Sequence, residues 1–212
     1  MAKLFIVRHG QTEGNLGGIF CGHSETALTD TGIQQARALG RRLADTEFKA
    51  AYASDLSRAA DTARHILAEH PSPPSLALDD RLREMHYGEW EGRPGSEIRA
   101  ESPDLMREFF TGQRQAAPGG ESIVQLRERM AAAARDAATA HAGENVLLVS
   151  HGNAIMALLA EMLSMAPEAS WSFAIENTSL TRLHFSNSGK VTVLSVNETA
   201  HFEELARMNA GG

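Results

Sequence analysis

Four uninterrupted apolar residues, Leu4-Phe5-Ile6-Val7, open the pattern of this chain and predict a strand buried on both faces. Past a glycine-containing loop, Thr29 is placed to cap a helix whose apolar face carries Ile33, Ala36, Leu39 and Leu43 at helical spacing. Ala50-Ala51-Tyr52-Ala53 reads as a second short strand. It leads into a helix from about Ser57 to Glu69, with Ala59, Ala63, Ile66 and Leu67 inward, ended by Pro71, Pro73 and Pro74. Ser75-Leu76-Ala77-Leu78 fits an edge strand, where nearby prolines are tolerated. A long helix from about Glu121 to Ala140 uses Ile123, Leu126, Met130 and Ala134; strand Val146-Leu147-Leu148-Val149 and a helix over 153–163 follow. Leu180 to Phe185 and Val191 to Val196 form a hairpin turned at Asn187-Ser188-Gly189, and residues 209–212 read as a frayed tail. Strands alternating with helices predict an α/β fold, a three-layer α/β/α sandwich with a mainly parallel central sheet.

One stretch breaks the alternation. Between 86 and 120, Gly88, Gly92, Pro94, Gly95, Pro103, Gly112, Pro118, Gly119 and Gly120 interrupt any period. This segment is expected to be a partly helical, lid-like insertion over the carboxyl edge of the sheet, within a single domain spanning 1–212.

Composition narrows the partners. The 212 residues are 42% hydrophobic and 22% charged, with a formal net charge of −7, which argues against a general binder of nucleic acid or acidic membranes. Cys21 is the only cysteine, so no internal disulfide is possible, and a cytoplasmic location is expected. No signal-peptide core and no membrane-length apolar run is visible. The chain is expected to act as a monomer or homodimer on a small ligand.

The chemistry lies where the strands end. The first apolar run closes on Arg8-His9-Gly10, and the run at 146–149 closes on Ser150-His151-Gly152. Groups just past the carboxyl ends of parallel strands converge in an open α/β sheet. Arg58 follows the third strand end, after Ser54-Asp55-Leu56-Ser57. A lone histidine after a strand is ordinarily a loop or cap residue; two histidines and two arginines from three strand ends form a constellation. Arginine's planar fork suits a phosphate, and the backbone amides near Gly10 and Gly152, at a helix start, could add donors. Neighbouring cations lower the pKa of His9 and favour the neutral nucleophile, fit to form a phosphohistidine. His151 reads as a clamp on the developing charge. Glu84, in Arg83-Glu84-Met85-His86-Tyr87-Gly88, is a candidate general acid for the leaving alkoxide and then base for water, with Glu89 and Glu91 as nearby competitors.

At this point the chain resembles the histidine phosphatase superfamily, which includes cofactor-dependent phosphoglycerate mutases and related phosphatases. The matching segments are Val7-Arg8-His9-Gly10-Gln11-Thr12 with Asn15, and Leu28-Thr29 with Gly32, Gln35 and Ala36. They continue in Ser54-Asp55-Leu56 with Arg58 and Thr62-Ala63, in Arg83-Glu84 with Gly88 and Trp90-Glu91-Gly92, in Gly120-Glu121-Ser122, and in Ser150-His151-Gly152. The resemblance implies a phosphoglycerate mutase-like fold, His9 as the phosphorylated nucleophile, Arg8, Arg58 and His151 as the phosphate pocket, and Glu84 as proton donor. Asn15, Cys21, Gly22, His23 and Gly152 are expected on the substrate side. The substrate is expected to be a small phosphorylated molecule, with no cofactor and no metal, because histidine and arginine do the work a cation would otherwise do. Gln11 stands where the family commonly has glutamate, Ala27 where it has proline, and Met85 where the mutases carry arginine. Met85 and the short chain favour a phosphatase, with a phosphoglycerate mutase as the alternative. Segment 16–29 and the Trp90-Glu91 loop are similar to α-ribazole phosphatases.

Three rivals are weaker. A metal hydrolase using His9, His23, His86 and His151 lacks the short helical spacing of zinc ligands, and Arg8 would repel a cation. A serine or cysteine hydrolase lacks the nucleophile elbow. A catalytically silent phosphate-binding protein leaves the joint presence of His9 and Glu84 without a role. Trp171 and Phe173 are expected to pack, His65, His70 and His141 to be solvated, and His201 has no assigned role.

Overall fold

The computed structural model describes residues 2–203 and Leu205; the proposed frayed tail at 209–212 lies outside them. Among the described residues six strands form one sheet in the order β3-β2-β4-β1-β5-β6. The strands are β1 (Ala2–Arg8), β2 (Ala50–Ala53), β3 (Leu76–Leu78), β4 (Asn145–Ser150), β5 (Leu180–Phe185) and β6 (Val191–Glu198). β3, β2, β4 and β1 run parallel, while β5 and β6 add an antiparallel hairpin beside β1.

Strand alternation sorts the helices into two outer layers. Leu4, Ile6, Val146 and Leu148 join one apolar cluster with α6 (Ile123–Ala140) and α7 (Gly152–Met162). Phe5, Val7, Leu147 and Val149 face the other way, onto α2 (Asp30–Arg42) and α3 (Ser57–Leu67). This is why the central strands carry no polar alternation: both of their faces are covered. The expected sandwich with a mainly parallel sheet is therefore the observed fold.

The caps set the boundaries. Thr29 Oγ1 accepts from Gly32 N at 3.0 Å, and Ser122 with Gln125 forms a capping box that starts α6 two residues later than expected. α3 ends at Leu67, before the proline cluster, and β6 extends two residues beyond Val196. Ile33 is only half-buried; Ala38 and Gly40 share the buried face of α2 instead. The loop after β1 hides a turn of helix, α1 (Glu13–Leu16), capped by Thr12 and Asn15.

The 86–120 segment contains a single 3-10 turn at Gly88–Trp90, α4 (Gly95–Glu101) and α5 (Pro103–Phe110). Its buried side chains Tyr87, Trp90, Ile98 and Phe109 belong to the same apolar cluster as α6 and α7. Phe109 packs edge-on against Trp90 at 5.2 Å and accepts a hydrogen bond at its carbonyl from Trp171 Nε1. Trp171 and Phe173 do pack, as expected. No helix among the described residues is long and apolar enough to cross a membrane.

Candidate active site

The parallel pairing of β1 and β4 puts Arg8 opposite Ser150, and His9 N extends the ladder by donating to Ser150 O at 2.9 Å. The next residues, His9 and His151, then leave the sheet side by side with ring centroids 5.1 Å apart. On the other side of β4, Ser54 N donates to Val149 O, and the chain turns into α3 with Arg58 in its first turn. All of His9, Arg58 and His151 are buried.

Hydrogen bonds fix what each ring can do. His9 Nδ1 lies 2.7 Å from Gly10 O, which can only accept, so Nδ1 carries the proton and Nε2 presents a lone pair. His151 Nδ1 lies 3.2 Å from Arg58 Nε, which can only donate, so the neutral ring keeps its proton on Nε2. Burial first, then the neighbouring guanidiniums (Arg8 and Arg58 for His9, Arg58 for His151), holds both imidazoles well below the usual histidine range. Both are neutral at pH 7. One offers an electron pair and the other an N–H.

Two buried donors of this site lack an acceptor, as do a few others elsewhere among the described residues. His151 Nε2 and Arg8 Nε make no hydrogen bond with the protein, although Arg8 Nη1 donates to Ile175 O at 2.6 Å. Orphaned buried donors are costly, and the chemistry of this pair, a guanidinium N–H and an imidazole N–H, suits an anionic acceptor. Arg58 also reaches Gly22 O (2.6 Å) and Ser24 O (2.9 Å), so it clamps the loop after α1 while keeping two N–H bonds for a ligand.

Glu84 takes an unexpected seat. Its carboxylate accepts from Met85 N (2.9 Å), Ala154 N (3.0 Å) and Asn153 N (3.2 Å), occupying the first-turn amides of α7. Gly10 N is also engaged, by Thr62 Oγ1 at 2.9 Å. The expectation that amides near Gly10 and Gly152 would receive phosphate is corrected accordingly: the Gly10 amide and the next two amides of α7 have protein acceptors. Gly152 itself lines the cavity against the Arg8 guanidinium, where a Cβ would meet Arg8 Nε at 3.4 Å.

Arg8, His9, Asn15, Glu84 and Gly152 line one cavity of about 230 Å³. Asn15 gives its Oδ1 to Thr12 N and Asn177 Nδ2, leaving its amide N–H groups for the pocket. Cys21 and Gly22 line the wall; burial pushes the Cys21 thiol up, so it stays protonated. Gly22 sits at φ 50° with the Glu91 carboxylate where a Cβ would go. His23 is corrected: its ring turns away from the cavity, Nε2 donating to Glu84 O at 2.9 Å. It stacks edge-on with His86 at 5.1 Å, so the four histidines imagined as a metal site fall into two separate pairs.

Residues missed by sequence reasoning include Tyr87, whose buried hydroxyl meets Asn153 Nδ2, and Ile19, Phe20 and Met156, which form an apolar wall. Nothing in their local spacing marks them. Asn177 and Thr178 were also missed; Thr178 lies at φ 53°, its N–H directed to the carbonyls of Arg8 and His9. Met85 is corrected too: it is fully buried in the core, not beside a bound acceptor. Of the histidines expected to be solvated, His70 bonds Thr46 O and His141 bonds Tyr52 OH.

Comparisons place the chain in a family. The model of the histidine phosphatase superfamily (branch 1) matches residues 4–199. A probable phosphoglycerate mutase, GpmB, of Yersinia pestis (strain Pestoides F) is 32% identical over 208 residues, 96% of each chain. The solved structure of YhfR from Bacillus stearothermophilus superposes with a TM-score of 0.89 at 30% identity, covering 95% of this chain and 99% of that one. The α-ribazole phosphatase of Shigella flexneri gives 0.82 at 27% identity, with 93% and 97% covered. The chain belongs to the histidine phosphatase superfamily, branch 1, and with it to the phosphoryl-transfer enzymes.

Proposed function

We propose that the protein hydrolyses small phosphomonoesters through a phosphohistidine on His9. The observation that carries this reading is the pair of orphaned donors, Arg8 Nε and His151 Nε2, on two neighbours of His9, whose ring lies 5.1 Å from that of His151 and keeps Nε2 unprotonated. His9 Nε2 attacks phosphorus as the ester P–O bond breaks, and the leaving alkoxide takes a proton from the Glu84 carboxylic acid. Water then gives a proton to the Glu84 carboxylate and attacks the phosphohistidine, releasing inorganic phosphate and restoring His9. Arg8, Arg58 and the His151 N–H meet the charge on the transferring oxygens, so the scheme asks for no metal.

Hydrolysis is favoured over mutase chemistry by the rest of the lining. Besides Arg8 and Arg58, the described wall holds no cation, and Ile19, Phe20 and Met156 offer nothing to a second phosphate or a carboxylate. A mutase must hold a doubly anionic intermediate long enough to return the phosphoryl group. Buried Met85 does not contribute to this preference.

Quenching the enzyme during turnover of p-nitrophenyl phosphate should trap one acid-labile, alkali-stable phosphate per chain. His9→Ala should lose that adduct and at least 10³-fold in kcat. Normal turnover by the His9→Ala protein would falsify the nucleophile assignment. Isomerisation of 3-phosphoglycerate outrunning phosphate release, with bisphosphoglycerate present, would instead identify a mutase.

A further inference from the structure

Glu84 lies in a segment, 81–86, that has no regular structure beyond the end of a 3-10 turn at Asp80–Leu82. Its carboxylate rests on α7, yet its backbone position is set from elsewhere. Arg129, on α6, directs its guanidinium into that segment: Nη1 donates to Arg81 O (2.8 Å) and Arg83 O (2.7 Å), and Nη2 donates to Glu84 O (2.8 Å). Its remaining N–H bonds form a fork on Glu121, Nε to Oε1 at 2.7 Å and Nη2 to Oε2 at 2.8 Å. Five donors meet five acceptors, the full capacity of a guanidinium. Glu121 closes the loop from the other side, its N donating to His86 O (2.8 Å) and its Oε2 accepting from His86 N (3.3 Å).

We propose that Arg129, oriented by Glu121, is the positioning residue that fixes the Glu84 backbone so that its carboxyl can serve the leaving group. The assignment rests on Glu84 being the proton donor. Arg129 is not part of the cavity lining; it acts through three carbonyls of the segment, those of Arg81, Arg83 and Glu84 itself. A charge alone does not suffice. Lysine has three donors on one atom and no fork, so it cannot bridge three carbonyls and a carboxylate at once. A displacement of about 1 Å at a catalytic group can cost on the order of 10²-fold.

The test compares Arg129→Lys, Arg129→Gln and Glu121→Gln with Glu84→Gln, on an alkyl phosphate and on p-nitrophenyl phosphate, with melting temperatures recorded. Each positioning variant is expected to lose about 10- to 100-fold in kcat on the alkyl ester. On the aryl ester the phosphorylation burst should fall less than about fivefold, because that leaving group needs little proton donation. KM should change little. Glu121→Gln keeps the shape of the pair and carries the test if the Arg129 variants do not fold. Equal losses on both esters, tracking a lowered melting temperature, would mean a merely structural role and overturn the proposal. So would undiminished alkyl turnover in a folded Arg129→Lys. If Glu84→Gln itself loses both esters equally, the proton-donor reading has failed first, and the positioning role falls with it.

Discussion

Two neutral imidazoles about one strand apart hold their protons at opposite ends, and the groups that enforce this are a carbonyl and a guanidinium. Replacing Glu84 with glutamine tests the third member of the set. General acid catalysis contributes about 10²–10⁴-fold, and less for a leaving group that departs readily as an anion. Glu84→Gln should therefore lose at least 10²-fold on alkyl phosphates but much less in the phosphorylation burst with p-nitrophenyl phosphate, measured by stopped flow. A substrate-independent loss would assign the proton to another group. At this scale Arg8, His9, Arg58 and His151 were legible because strand ends are legible: an apolar run that stops at a polar residue marks where the sheet edge opens. His23, Tyr87 and Asn153 were not, since the direction of a loop side chain depends on partners far away in sequence. His23 reaches Glu84 across 61 positions, and Asn153 reaches Tyr87 across 66. Met85 misled for a related reason, because a loop position beside the acid turned out to be core.

Helix starts, more than helix bodies, shape the site. The first turn of α2 is pressed onto the loop that follows His9: Thr29 N donates to Gln11 O, and Gln11 N donates to Gln35 Oε1. A Cβ on Gly32 would lie 2.1 Å from Gln11 O, a backbone atom that cannot swing aside. Gly32→Ala should push α2 and the 10–12 loop apart, destabilise the fold by about 1–3 kcal/mol in denaturant titration, and lower kcat. Wild-type stability and activity in that variant would show that the contact relaxes freely. Thr29 announced its helix because a cap is a local device, whereas the Ser122 cap went unread and α6 was expected two residues too early. α1 stayed hidden because four residues give no periodicity, although Thr12 and Asn15 cap it reciprocally. The helices of the 86–120 segment were legible only as texture, since α4 and α5 each span two turns or so.

Across the whole molecule, folding places several histidines where taking up a proton is disfavoured. His201 is the clearest case: burial, with Arg42 adding to it, brings it from 6.5 down to about 4, and Thr178 Oγ1 lies 3.1 Å from its Nε2. Between those values the unfolded chain binds more protons than the folded one, so acid favours unfolding. The contribution is intact above pH 6.5, declines as the pH falls, and levels off below about 4. The full shift corresponds to about 3 kcal/mol, developed between those two pH values. Urea midpoints measured from pH 7 to 4.5 should drop less steeply for His201→Gln than for the parent, and identical slopes would remove His201 from the account. The layered fold was the most legible level, because strands apolar on both faces need helices on both sides. The role of His201 was the least, because no local pattern says which helix face will lie under Thr178.

The spacing of the two strand-end histidines has one more consequence. Neighbouring strands stand about 4.8 Å apart by their hydrogen bonds, and the rings of His9 and His151 inherit that separation at 5.1 Å. The sheet thus works as a fixed gauge, like the jaw of a spanner whose opening is cast and not adjustable. On the reading proposed above, the Nε2 edges of the two rings meet one phosphoryl group at that fixed spacing, whatever handle it carries. Exchanging the segments around Ile19 and Phe20, or those of α4 and α5, should therefore change which handles fit while leaving the bond that is broken the same.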